Sequence, residues 1–258
     1  MQQPFPALKC LELGSSELTA PVVPTSLLGG STPSLEALSL HSISFPGLPN
    51  LLLSATHLVH LTLFKIPHSG YFSPEAIVTC LSILTCLEGL HIEFEYSRSH
   101  PERKSRRPPL PTRTLLPVLA DLQFEGAGEY LEDLVARIDA PLLNSLTIIL
   151  FHQPIIDTRQ LTQFISRAPK FKAPDEAYVE FSDWRVSIIL PQASYTVLEL
   201  AISSLSDQQL WCRSARPFLR LSFPRWNASS STVDFGYCIG KMTLKAANGW
   251  NFSIYLQV

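Results

Sequence analysis

A short apolar phrase, LxxLxL, recurs six times between Leu8 and Ile148, and this recurrence restricts the folds open to the chain more than any other feature. It is written by Leu8-Leu11-Leu13, Leu35-Leu38-Leu40, Leu58-Leu61-Leu63, Leu87-Leu90-Ile92, Leu119-Leu122-Phe124 and Leu143-Leu146-Ile148. The first residues stand at 8, 35, 58, 87, 119 and 143, so the intervals are 27, 23, 29, 32 and 24 residues. A unit of that length cannot bury an apolar face alone, so successive units must stack and share one core. Within each unit the LxL alternation sends two side chains to the buried face of a strand and leaves the residue between them exposed.

Between strands the chain must return along the opposite wall, and several returns read as helical. Ser73-Pro74-Glu75 offers an N-cap, a proline suited to the first turn and an acid at the positive helix end. Ile77, Val78, Leu81 and Leu84 then make an apolar stripe. Asp157 with Gln160 forms a capping box ahead of Leu161, Phe164 and Ile165, with Pro169 as the stop. A third helix is expected over Glu129 to Ile138. Residues 14–34 and Pro46-Gly47-Leu48-Pro49 predict irregular returns with at most a short helix after the latter. The period and the alternation of strand and helix predict an α/β leucine-rich-repeat-like solenoid, with parallel strands on the concave side and helices and irregular turns on the convex side.

The repeat domain is expected to span residues 1–207. Residues 97–113 interrupt it with six basic residues (Arg98, Arg103, Lys104, Arg106, Arg107, Arg113) and four prolines against one acid, which predicts a flexible surface loop. Ala177–Phe181, Val186–Leu190 and Val197–Ile202 read as strands of divergent terminal repeats. Residues 208–258 are expected to be a divergent, poorly packed tail. One base back from Phe223–Thr232, permissible codons spell Pro-Thr-Leu-Glu-Arg-Leu-Phe-Ile-Tyr, a further repeat phrase, so a frameshifted origin is expected for the tail.

Composition narrows the function. With 46% hydrophobic and 16% charged residues in a chain of 258, a continuous core is affordable. A net charge of −2 gives no global attraction to nucleic acid or anionic membrane, and neither partner is expected. Five cysteines without a CxxC, mostly in apolar contexts, read as small buried hydrophobes and reduced thiols. With no leader and no apolar run of bilayer length, the chain is expected in the cytoplasm or nucleus.

No catalytic motif, cofactor loop or metal set is legible, so neither an enzyme nor a cofactor is expected. His57 and His60 straddle the start of a strand, one in the turn and one on the exposed wall. Glu93 and Glu95 share a strand face, with no apolar surround expected to raise either pKa. The exposed positions around each LxL run Cys10, Glu12, Gly14; Ala37, Ser39, His41; His60, Thr62, Phe64; Gly89, His91, Glu93, Glu95; Asp121, Gln123, Glu125; and Ser145, Thr147, Ile149, Phe151. From these, His60, Phe64, His91, Glu93, Glu95, Asp121, Gln123 and Glu125 are the candidate partner-binding residues. An aromatic anchor flanked by acids suits a basic segment of a partner protein.

The wording of several segments resembles the leucine-rich-repeat region of F-box proteins abundant in mushroom-forming fungi. These are Phe5–Leu13, Leu52–Leu58, Ser73–Leu90, Tyr130–Leu143, which reads YLEDLVARIDAPLL, and Gln163–Arg167. The resemblance covers about residues 4–207 and implies the substrate-recognition part of an SCF-type ubiquitin ligase receptor, in which an F-box docks on Skp1 and the repeats hold the target. The first phrase begins too early to leave room for an F-box, so Skp1 is an expected partner only if one is encoded upstream. A stand-alone repeat scaffold, or a truncated gene product with no ubiquitin link, is the alternative expectation.

Overall fold

The computed structural model describes residues 7–16, 21–30, 32–95, 112–151, 159–171, 176–182, 185–191, 197–203, 218–221, 240–245 and 254–257. In chain order the elements are β1 (Cys10–Gly14), β2 (Ala37–His41), α1 (Leu48–Ser54), β3 (His60–Ile66), α2 (Pro74–Leu81), β4 (Gly89–Phe94), β5 (Thr114–Leu115) and β6 (Asp121–Gly126). They continue with α3 (Gly128–Val135), β7 (Ile138–Asp139), β8 (Ser145–Phe151), α4 (Arg159–Arg167), β9 (Glu176–Ser182), β10 (Arg185–Pro191), β11 (Val197–Ser203), β12 (Phe218–Leu221), β13 (Gly240–Lys245) and β14 (Ile254–Gln257). The architecture is mixed α/β, built on a ten-stranded sheet in the order β1-β2-β3-β4-β6-β8-β11-β10-β9-β13. From β1 to β11 every pairing in that order is parallel; from β11 to β13 every pairing is antiparallel.

From the second phrase on, each repeat enters its strand through the same two backbone contacts. The N–H of the leading leucine donates to the carbonyl three residues earlier, as in Leu35 to Thr32 (3.2 Å), Leu58 to Ala55 (3.0 Å), Leu87 to Leu84 (3.1 Å) and Leu143 to Ala140 (3.2 Å). Immediately before the strand, one carbonyl accepts two consecutive N–H groups of the next unit. Lys9 O accepts from Glu36 and Ala37 at 2.7 and 3.0 Å, and Glu36 O from Val59 and His60 at 2.7 and 3.0 Å. Val59 O accepts from Glu88 and Gly89, Glu88 O from Ala120 and Asp121, and Ala120 O from Asn144 and Ser145. The LxL residues thereby align into columns: Leu38, Leu61, Leu90, Leu122 and Leu146 in one, and Leu40, Leu63, Ile92, Phe124 and Ile148 in the next, all buried.

The returns close the core. Helix α2 starts as its sequence predicts, with the Ser73 hydroxyl accepting from the Ala76 N–H at 3.2 Å and Ile77, Cys80 and Leu81 buried beneath it. The third helix is shorter than expected: it ends at Val135, and Ile138 belongs to β7, which pairs in parallel with β5. Helix α4 receives its N-terminal cap from a neighbouring helix, because the Glu132 carboxylate of α3 accepts from the Gln160 and Leu161 N–H groups at 2.8 and 2.9 Å. Asp157, the cap read from the sequence, lies outside the described residues, as does 97–111 of the basic segment. Arg113, from the same segment, is tied down by a hydrogen bond from its Nε to Ala136 O at 3.3 Å.

Two further expectations change. Strands β9 and β10 exist where the sequence places them, but they pair antiparallel, and only β11 joins the parallel set, in register with β8. In the tail, β13 pairs with β9 and β12 with β14. Of the described cysteines only Cys80 is buried; Cys10 and Cys86 are exposed, because one occupies an outward strand position and the other a turn. No helix among the described residues is long and apolar enough to cross a membrane.

Replacing Glu132 with alanine removes the acceptor for two otherwise unsatisfied helix N–H groups. The expected loss is about 1–2 kcal/mol of stability, measured by urea unfolding against wild type. An unchanged midpoint would show that α4 does not depend on this cap.

Candidate partner-binding face

The same register that buries the LxL residues lines up the residues between them into three outward rows. Cys10, Ala37, His60, Gly89, Asp121 and Ser145 are lateral partners in the first row. Glu12, Ser39, Thr62, His91, Gln123, Thr147 and Glu199 form the second. Gly14, His41 and Phe64 begin the third, and Glu93, Glu125 and Ile149 continue it.

The third row is broken between β3 and β4 by a bulge, where Phe64 and Lys65 stand against Glu93 alone. Strict alternation would bury Lys65 beside Leu61 and Leu63. Instead Lys65 takes φ of 50°, which turns its side chain outward and puts Ile66 into the core. Ser42 does the same after β2 with φ of 55°, and Ile43 fills the inward place. A left-handed residue other than glycine costs roughly 1–2 kcal/mol, less than leaving an unpaired ammonium in a leucine column.

Phe64 is the centre of the face. Its ring centroid lies 5.3 Å from that of His41 and 5.9 Å from that of His91, the latter edge-on, and the Lys65 ammonium sits 5.2 Å from the ring centre. Ser39 Oγ and His41 Nε2 are hydrogen-bonded at 2.8 Å, fixing the outer imidazole. Toward β6, Gln123 donates to Asp121 Oδ2 at 3.0 Å. His60 at the row's lower edge lies across Gly89, where an added Cβ would come within 2.8 Å of its ring.

Burial and neighbours set the charges. Burial lowers the pKa of His91 against the opposing pull of Asp121, with His41 adding to the lowering, so its imidazole is neutral at pH 7. The 3.9 Å approach of His91 Nε2 to Glu93 Oε2 is therefore a polar contact at that pH and not an ion pair. Glu93 contradicts the sequence expectation: its carboxyl is pushed up to about 7, first by burial and then by Glu125, while Lys65 pulls it down. The surround that the sequence hides is lateral, since Glu125 on β6 is its register partner and Lys65 reaches it only through the bulge.

Of the predicted site residues, Phe64, His91, Glu93 and Glu125 come together across β3, β4 and β6. Asp121 and Gln123 form an adjoining pair, and His60 lies one row away. Glu95 is exposed one residue beyond β4, its N–H donating to Ile66 O at 2.8 Å. Phe151 is buried at the end of β8 and is no part of the face. His41, Ser39 and Lys65 join the site without having been selected; the first two stand at legible exposed positions, whereas Lys65 is hidden by the alternation rule. Among the described residues no group of three His, Cys, Asp or Glu could hold a metal ion. Comparisons with family models, curated proteins and solved structures found no match for the chain.

Because the folded pKa of Glu93 lies above its ordinary value of 4.5, its neutral form contributes stability that is whole below 4.5 and is lost as pH rises through about 7. Glu93→Gln should therefore melt with wild type near pH 5 and at a higher temperature than wild type near pH 8. Equal melting at both pH values would show that Glu93 ionises without cost.

Proposed function

We propose that this chain is a non-enzymatic protein-interaction domain, a leucine-rich-repeat-like solenoid that binds a protein through its strand face. In this reading it resembles the substrate-recognition part of an SCF-type F-box receptor acting in the cytoplasm or nucleus, with Skp1 as a partner only where an F-box is encoded upstream. The observation that carries the reading is the row geometry. Six parallel strands and β11 present side chains in fixed lateral register, and an aromatic-histidine patch with flanking carboxylates sits where the rows cross β2 to β6. Aromatic anchors ringed by polar groups are what partner surfaces use to combine apolar burial with orientation.

Glu93 near neutrality also bears on the enzymatic alternative, since acid–base sites tune carboxylates in this way. Its described neighbours, however, are a neutral imidazole on its own strand and a second carboxylate and an ammonium on adjoining strands. That set supports charge recognition and offers no nucleophile–base–orienter chain.

A photo-crosslinking residue placed at Gln123 should capture protein from cell extract, whereas the same residue at Leu53 or Leu142, exposed outside the rows, should not. Equal capture at all three positions would overturn the assignment of the strand face. The ubiquitin link has its own check: Skp1 should bind the chain extended by its upstream coding sequence and not the chain alone.

A further inference from the structure

We infer that Phe64, Glu93 and Glu125 form a seat for one ammonium or guanidinium group, whose aromatic face is covered in the free protein by Lys65 and taken over by a lysine or arginine of a partner peptide. This rests on the reading of the strand face as a partner surface and specifies what that surface recognises.

The internal lysine shows what the seat holds. Lys65 departs from strand alternation, adopts a left-handed backbone and places its ammonium over the Phe64 ring at 5.2 Å. That ring is held between His41 and His91, so its face is fixed before any partner arrives. The carboxylates complete the seat from the next two strands, where Glu93 and Glu125 are lateral partners. Two carboxylates side by side repel each other, and a cation is the group that relieves them.

The charge of the whole face points the same way. Glu12, Glu93, Asp121, Glu125 and Glu199 stand in the three rows and Glu95 just beyond, against Lys65 as the cation at the bulge. A basic segment therefore meets a complementary field across the strands, and the seat fixes one of its side chains. Lys65 covers the ring when no partner is bound, and a competing cation must displace it from there.

Protonation follows from the geometry. The groups around Glu93 are His91 and Glu95 on its own strand side, Lys65 and His60 from β3, Asp121 and Glu125 from β6, and His41 from β2. A cation in the seat favours the ionised form of Glu93, so affinity should rise with pH up to about 7 and level off above it.

The test uses the full chain and immobilised decapeptides with random flanks, their central residue fixed as lysine, arginine or norleucine. Wild type should retain the lysine and arginine sets about tenfold better than the norleucine set. Phe64→Leu keeps the charge of the face, yet should lose most of that preference. Lys65→Asn, an exchange that tolerates the left-handed backbone, should raise affinity for the lysine set several-fold, and the gain should vanish in the Phe64→Leu background. Glu93→Gln should flatten the pH dependence. A cooperative unfolding transition in every variant confirms that each is folded. Retention that depends on Phe64 but shows no cation preference and no gain with Lys65→Asn overturns the seat while leaving the partner face intact. Absence of any retention that depends on these residues overturns both.

Discussion

One carbonyl per repeat, accepting two N–H groups from the unit that follows, holds the sheet in register. In a parallel sheet nothing like a tight hairpin sets the offset between neighbours, and a slip of one residue would exchange every leucine with its polar neighbour. The shared acceptors at Lys9, Glu36, Val59, Glu88 and Ala120 remove that freedom at the point where each strand begins. The buried columns and the outward rows are therefore products of the same contact. It also explains why intervals from 23 to 32 residues are compatible with one continuous sheet: the register is decided at the strand entrance, and differences in return length are absorbed on the other wall.

That other wall is held by a different chemistry. Arg137, nearly buried, pairs with Glu75 of α2 at 2.8 Å. Arg167 of α4 bonds Asp139 at 3.1 Å and reaches the Val135 and Ile138 carbonyls at 3.4 and 3.2 Å. Together with Arg113 on Ala136 O, these guanidinium groups converge on the exit of α3, where unsatisfied carbonyls carry partial negative charge. Arginine suits this task because its planar fork bonds several acceptors at once. The strand face carries its carboxylates in rows, whereas the arginines at the α3 exit are matched with Glu75 and Asp139, so charge is balanced differently on the two sides of the sheet.

The parts legible in the sequence are those governed by local periodicity. LxxLxL marks β1 to β4, β6 and β8, and Ser73-Pro74-Glu75 marks the start of α2, because each is decided by residues within one turn or one strand. What stays hidden depends on neighbours distant in sequence. Glu132 caps a helix 28 residues further on. Glu93 is set by Glu125 on an adjacent strand, and no window around Glu93 contains that information. Lys65 reads as an inward residue until a positive φ is known. The direction of β9 and β10 is equally invisible, since their β-branched alternation is the same for either polarity.

The placement of β11 gives the sheet a direction of growth. β11 obeys the parallel rule on β8, yet its far side is taken by β10, and antiparallel strands continue from there to β13. At that end the edge strand, β13, runs antiparallel to its neighbour. At the other end, among the described strands, β1 is paired on one edge alone, by β2, and a parallel neighbour on its other edge would continue the repeat direction. Lateral assembly among the described strands is thus asymmetric: a strand that follows the repeat rule has an address beside β1, and a strand beyond β13 must arrive under a different one.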